Sequence, residues 1–201
     1  PNAAFAAGMG DAIDYLSFHE YTHDETLVFE RVDALRALAK SYNPKIEIIQ
    51  GESGSQSRSG GHGAVYTGAW TQEKQAKQLL RHAMADLLSD VYFTSYFSCM
   101  DMIEALNGRV GDVSSYLDFG YFGVLGADFD ENGKCVGSYT PKKSYYALQN
   151  LCSVFAEGCE LCKLPVLFMP EESPRTFGTD EPKNRVITGG FRRPAGDALV
   201  F

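Results

Sequence analysis

The sequence is short of several things at once, and each shortage removes a class of protein. No apolar run approaches the roughly 20 residues that a membrane-spanning helix needs, so nothing in it reads as crossing a bilayer. Its first residues show no basic-then-apolar stretch of the signal-peptide kind. Cations are outnumbered: 18 Lys and Arg stand against 26 Asp and Glu, a formal net charge of -8. A protein that tracks nucleic-acid phosphates needs a basic stripe, and this balance argues against one. Cysteine is sparse and odd in number, five in all, so a complete set of internal disulfides is excluded. Cys159 and Cys162 form a CxxC, but no second close pair follows to complete a zinc ribbon. The pair comes after an apparent helix end at Phe155–Gly158, where a redox CxxC would open a helix. Ordinary thiols are the expectation, with no metal and no cofactor.

What is present is globular. Hydrophobic residues make up 44% of the 201, aromatics 12% and charged residues 22%, enough apolar content to bury a core and too much for a disordered chain. The pattern alternates. Residues 15–22 read as a strand, and Asp24 caps a helix whose face is Val28, Val32, Leu35, Ala39 and Tyr42, ended by Asn43-Pro44. Residues 46–50 read as a second strand, followed by a Gly- and Ser-rich run to Gly68. Thr71 caps a second helix with an expected apolar face of Ala76, Leu79, Leu80, Ala83, Leu87 and Leu88. Residues 91–98 form a third strand, and Thr140-Pro141 opens a third helix. Strands alternating with helices imply a parallel sheet with right-handed crossovers. The tail differs: residues 164–169, 185–191 and 197–201 read as strands without intervening helices, which predicts antiparallel β-structure beyond about residue 160. The chain opens on Pro1 and closes on a strand-like Ala198–Phe201, which reads as a piece of something longer.

In parallel α/β folds the chemistry sits at the C-terminal ends of the strands. Here those ends carry His19 and Tyr21, then Glu52, then Ser95 and Tyr96. A carboxylate among hydroxyl and imidazole donors suits a hydroxyl-rich ligand. Several near-motifs compete. Gly51-Glu52-Ser53-Gly54-Ser55 approaches a nucleophile elbow around Ser53, but the last glycine is missing and no helix follows at once. Asp128–Gly133 matches half of a calcium loop, yet position twelve is Tyr139 and Asn132-Gly133 is a hairpin turn signal, so a hairpin is expected. Arg58 and His62 lie in a loop able to touch an acidic group, Arg81 reads as a helix-to-loop salt bridge, and Trp70 beside a helix cap reads as a hydrophobic staple.

Taken in order, Asp14–Tyr21, Ile46–Ser53, Thr71–Leu88, 91–98 and Pro141–Leu151 resemble strand six, strand seven, helix seven, strand eight and the closing helix of a retaining glycoside hydrolase of the (β/α)8 clan, nearest to family 39, the β-xylosidase/α-iduronidase group. Ile187–Phe201 resembles the start of the β-sandwich that accompanies such barrels. The resemblance implies a fold and a division of the chain: an α/β C-terminal portion of a TIM barrel over residues 1–160, then the start of an antiparallel β-sandwich over 161–201. It implies a carbohydrate substrate, Glu52 as catalytic nucleophile, and His19, Tyr21 and Tyr96 as substrate-binding residues. A retaining mechanism needs a second carboxylate about 5–5.5 Å from the first. The resemblance puts that acid/base at the end of strand four, ahead of Pro1. Two alternatives stand beside this reading: a non-catalytic carbohydrate-binding relative, and a serine hydrolase using Ser53.

Overall fold

The structure is a computed structural model and describes residues 1–61, 63–104, 118–130, 134–155, 158–162 and 187–200. The chain divides into two compact units, Pro1–Leu151 and Cys152–Phe201.

The first unit is mixed α/β. A short helix α1 (Asn2–Ala6) and one 3₁₀ turn lead into β1 (Tyr15–His19). Then come α2 (Leu27–Tyr42), β2 (Glu47–Ser53), α3 (Gln72–Leu88) and β3 (Phe93–Tyr96). The three strands form one parallel sheet in the order β1-β2-β3. Helix α2 starts two residues later than Asp24 would place it, with Thr26 at the cap position. The Asp24 carboxylate instead accepts from the backbone N–H and hydroxyl of Thr26, closing a turn ahead of the helix. Asn43 ends α2 in extended conformation, as a residue before proline prefers, and ties its amide to the Gly10 carbonyl at 2.8 Å. Val28, Val32 and Ala39 bury the α2 face against Phe18 and Ile48 of the sheet and Ile46 just before β2, with Phe5 and Ala85 completing the core.

Helix α3 is capped as expected, the Thr71 hydroxyl accepting from the Lys74 N–H at 3.1 Å. Its fully buried face shares only Leu79 with the expected one. Gln75, Gln78, Leu79, His82, Ala85 and Asp86 face inward, and Leu80 is exposed. Polar side chains occupy that face because the backbone opposite offers them partners. The Gln75 amide donates to the carbonyls of Ser55 at 2.9 Å and Phe122 at 3.1 Å, and Gln78 donates to Thr22 at 3.2 Å.

After β3, two antiparallel pairs appear: β4 (Met102–Glu104) with β5 (Asp118–Gly120), and β6 (Leu125–Phe129) with β7 (Cys135–Pro141). The β6–β7 pair brackets the half-calcium-loop motif. Asp130 and Lys134 join the strands through Asp130 N–H to the Lys134 carbonyl at 3.0 Å, while residues 131–133 of the motif lie outside the described residues. Pro141 ends β7 instead of opening a helix. The Lys142 N–H is committed to the Val124 carbonyl at 2.9 Å, so α4 begins at Lys143 and runs to Val154.

In the second unit, β8 (Glu160–Cys162), β9 (Gly190–Arg192) and β10 (Ala198–Val200) make an antiparallel sheet in the order β10-β9-β8. Phe191 is its buried centre, with Phe155 edge-on at 4.9 Å between ring centroids. The strand expected at 164–169 lies outside the described residues. Among the described residues, no helix is long and apolar enough to cross a membrane, and no group of three or more His, Cys, Asp or Glu could hold a metal ion.

Candidate functional site

The site is built by a break in strand alternation. In β2, Ile48 and Gln50 are buried on the helix side, and a strict period of two would send Glu52 the same way. The pairing with β1 shifts instead: Phe18 faces Gln50, but His19 faces Glu52, leaving Gly51 as the extra residue of a bulge. That bulge re-aims Glu52 to the face carrying His19. Gly51 has to be glycine for steric reasons. A Cβ there would run into Ser17 Oγ and lie 3.0 Å from His19 Nε2.

Re-aimed in this way, Glu52 meets two donors. Tyr21 donates its hydroxyl to Oε1 at 2.9 Å, and Nδ1 of His19 lies 2.8 Å from Oε2. The Glu20 N–H also donates to the Glu52 carbonyl at 3.1 Å, so the backbones are tied together where the side chains converge. The Glu52 side chain keeps 30% of its surface exposed and that of His19 keeps 56%, so the cluster is open to a ligand. Burial, followed by the hydrogen bond to Glu52, pushes the Tyr21 phenol well above its ordinary range and holds it as a neutral donor. The Tyr21 ring packs edge-on to Phe122 at 5.9 Å, and Phe122 in turn meets Phe97 at 5.8 Å. Phe122 is a wall of the site that no sequence pattern announces, because it comes from the segment between β5 and β6.

The other described candidates spend their hydrogen bonds on partners other than Glu52. Tyr96 donates to the Ser55 carbonyl at 3.4 Å, and burial pushes its phenol up to about 12. Ser53 is buried and donates to the Ser95 carbonyl at 3.2 Å, a hydroxyl spent on backbone rather than poised for attack. Trp70 is buried, donating its indole N–H to the Val65 carbonyl at 2.7 Å, with the Lys74 ammonium 4.4 Å from its ring centroid. Arg81 makes the expected helix-to-loop ion pair, with Glu25 at 2.6 Å. Arg58 stacks on Tyr121, its guanidinium carbon 3.9 Å from the ring centroid. His62 lies outside the described residues.

No protein-family model matches the chain, and no curated protein matches it. Solved structures do show a likeness, and those it resembles are β-glucuronidases. The enzyme of Bifidobacterium dentium, solved with coumarin-3-O-glucuronide, is 13% identical with a TM-score of 0.45, over 71% of this chain and 21% of that one. The Ruminococcus gnavus β-glucuronidase is 14% identical with a TM-score of 0.46, over 71% of this chain and 22% of that one. A β-glucuronidase from an uncultured Clostridium is 15% identical with a TM-score of 0.45, over 71% and 23%. The chain thus spans between a fifth and a quarter of the length of these enzymes. At such scores the likeness carries no chemistry, which rests on the side chains.

Chemically, the cluster is a carboxylate with each oxygen held by its own donor, at the C-terminal end of a central parallel strand. Two donors fix the lone pairs in direction. A fixed and accessible carboxylate can act as a nucleophile, as a base, or as an acceptor for a ligand hydroxyl.

Proposed function

We propose that these residues belong to a retaining glycoside hydrolase in which Glu52 is the nucleophile. The observation that carries the reading is the pair of bonds from Tyr21 and His19 to the two oxygens of an accessible Glu52. In this reading the run β1–α2–β2–α3–β3 supplies strands six to eight of a (β/α)8 barrel of the family 39 type, α4 is its closing helix, and the antiparallel strands beyond begin a β-sandwich. Glu52 attacks the anomeric carbon and the aglycone oxygen leaves with a proton from an acid/base carboxylate. Water then opens the glycosyl ester, giving up a proton to the same acid/base group. That second carboxylate is the one the resemblance places on an earlier strand, outside these 201 residues. Tyr21 holds the nucleophile, and His19, more exposed, holds it while offering its other ring nitrogen to a sugar hydroxyl. Tyr96 stands at the end of the neighbouring strand as a further wall for the sugar.

The test is Glu52→Gln in the protein that carries both carboxylates. Turnover of an aryl glycoside should fall by about 10⁴-fold or more, as expected when a positioned nucleophile is lost. Retained turnover would sink the assignment. The 201 residues alone should show no hydrolysis.

A further inference from the structure

Next along the chain from Glu52 lies a small cavity that the site above does not use. It holds about 220 Å³, and its lining includes Arg58, Gln72, Asp101, Asp128, Thr140 and Lys142. Short links tie it to the wall of the site. The Ser57 N–H donates at 2.9 Å to the carbonyl of Tyr121, the neighbour of Phe122. Arg58 and Asp128 are both exposed, so the cavity opens to solvent.

Its two cations are held before any ligand arrives. Arg58 lies over the Tyr121 ring, its guanidinium carbon 3.9 Å from the centroid, and donates to the Tyr121 hydroxyl at 2.6 Å. That bond uses one of the several N–H groups of a guanidinium, and no carboxylate pairs with Arg58 among the described residues. Lys142 Nζ gives one hydrogen to Asp101 at 2.5 Å and one to Ser57 Oγ at 2.8 Å, which leaves its third. Asp128 lines the same cavity and also forms no ion pair among the described residues. Arg58 and Asp128 are therefore opposite charges that share one small space without meeting.

Those charges select the ligand. Formally, Arg58 and Lys142 are balanced by Asp101 and Asp128, so the cavity carries no net charge. An anion would gain from Arg58 and be repelled by Asp128, and an organic cation would meet the reverse. A neutral polyhydroxyl compound is served by both signs: each hydroxyl can accept from Arg58 or Lys142 and donate to Asp128, in charge-assisted bonds. Gln72 and Thr140 add an amide and a hydroxyl to the same lining. The volume is below the roughly 300 Å³ at which pockets for drug-sized ligands begin, which fits a single ring.

We propose that this cavity is a binding site for one neutral sugar unit, held between Arg58 and Asp128. The site is separate from Glu52 and stands whether or not Glu52 is a nucleophile.

The test reads Arg58 directly. In an isotope-labelled sample of the chain, its Nε–H resonance is assigned by its disappearance in Arg58→Lys. That resonance should shift and saturate as methyl β-glucoside is added, with a Kd of about 1–10 mM, the value that a dozen or so heavy atoms give at ordinary ligand efficiency. Asp128→Ala should weaken binding about tenfold or more, the loss of one charge-assisted bond. Glu52→Gln should leave it unchanged. Glucuronate and inorganic phosphate should bind more weakly than the neutral sugar. No saturable shift in the native chain, a response that Asp128→Ala leaves intact, or tighter binding of either anion would overturn the proposal. A response lost in Glu52→Gln would place the sugar at Glu52 instead, overturning this site while leaving the glycosidase reading in place.

Discussion

Tyr21 reaches across 31 positions of sequence to give its phenolic hydrogen to Oε1 of Glu52 at 2.9 Å. The phenol comes from just beyond the end of one parallel strand and the carboxylate from the bulged end of the next. The bond exists only because the two strand ends are in register. Burial and this bond together keep the Tyr21 phenol from ionising.

Tyr21→Phe removes the hydrogen and leaves the ring against Phe122. In the glycosidase that the reading describes, turnover should fall by about 10²-fold, the usual cost of one donor to a reacting oxygen. Unchanged turnover in Tyr21→Phe would show that Tyr21 does not hold the reacting carboxylate.

Gly51→Ala tests the bulge. The backbone there is not left-handed, so the cost is purely one of space: the new methyl meets Ser17 Oγ and His19. Destabilisation of about 1–3 kcal/mol is expected in urea unfolding, with unchanged slope. Ser17→Gly, made in the same chain, removes the nearest obstacle and should recover part of the loss. A double variant as unstable as the sum of the singles would mean that Ser17 is not what the methyl strikes.

The alternation of strands and helices was legible in the sequence because it depends on periodicity, which local residues carry. Val28, Val32 and Ala39 sit where a four-and-three spacing puts them. The α3 face is legible only in part for the same reason: Leu79 is buried where the spacing puts it. Periodicity of apolar residues points to Leu80, while the buried face holds Gln75, Gln78 and His82, whose partners are carbonyls and side chains 20 or more positions away in sequence. Glu52, His19 and Tyr21 could be named from their places at strand ends, but the bulge that unites them could not. Strict alternation put Gly51, not Glu52, on the face of His19. Only the register between two strands shows the extra residue. Phe122 was invisible because it comes from the long excursion after β3, where no period is kept.

Asp101 and Lys142 form a second buried polar centre, with Nζ 2.5 Å from Oδ1 and both side chains about 5% exposed. Lys142 also donates to Ser57 Oγ at 2.8 Å, and the Gly123 N–H donates to Asp101 at 3.0 Å. Burial pushes the Asp101 carboxyl up and the Lys142 ammonium down, each opposed by its partner. Removing one charge strands the other. Asp101→Asn and Lys142→Met should each cost about 3–5 kcal/mol in denaturant unfolding. The double variant should cost clearly less than the two together, since neither charge is then left alone. Strict additivity would show that the pair does not act as a unit.

His82 and Asp86 give opposite pH signatures that hide each other in the native chain. Burial raises Asp86 from 3.8 to about 6 and lowers His82 from 6.5 to about 4. Between about pH 6 and 4 the folded state takes up a proton on Asp86 that the unfolded chain does not yet hold, so acidification stabilises the fold through this group. Over nearly the same window the unfolded chain protonates His82 while the folded state does not, so acidification destabilises it. Each contribution is about 3 kcal/mol across the window, and the two nearly cancel. Asp86→Asn leaves His82 unopposed, and its stability relative to the native chain should fall by about 3 kcal/mol between pH 6 and 4, the window of the lost Asp86 titration. His82→Gln leaves Asp86 unopposed, and its relative stability should rise by a similar amount between pH 6.5 and 4, the window of the lost His82 titration. Urea unfolding at half-unit pH steps reads both, and the background of exposed carboxylates drops out of the comparison. If both variants kept a constant offset from the native chain across pH 4–7, neither group would be titrating where its burial places it.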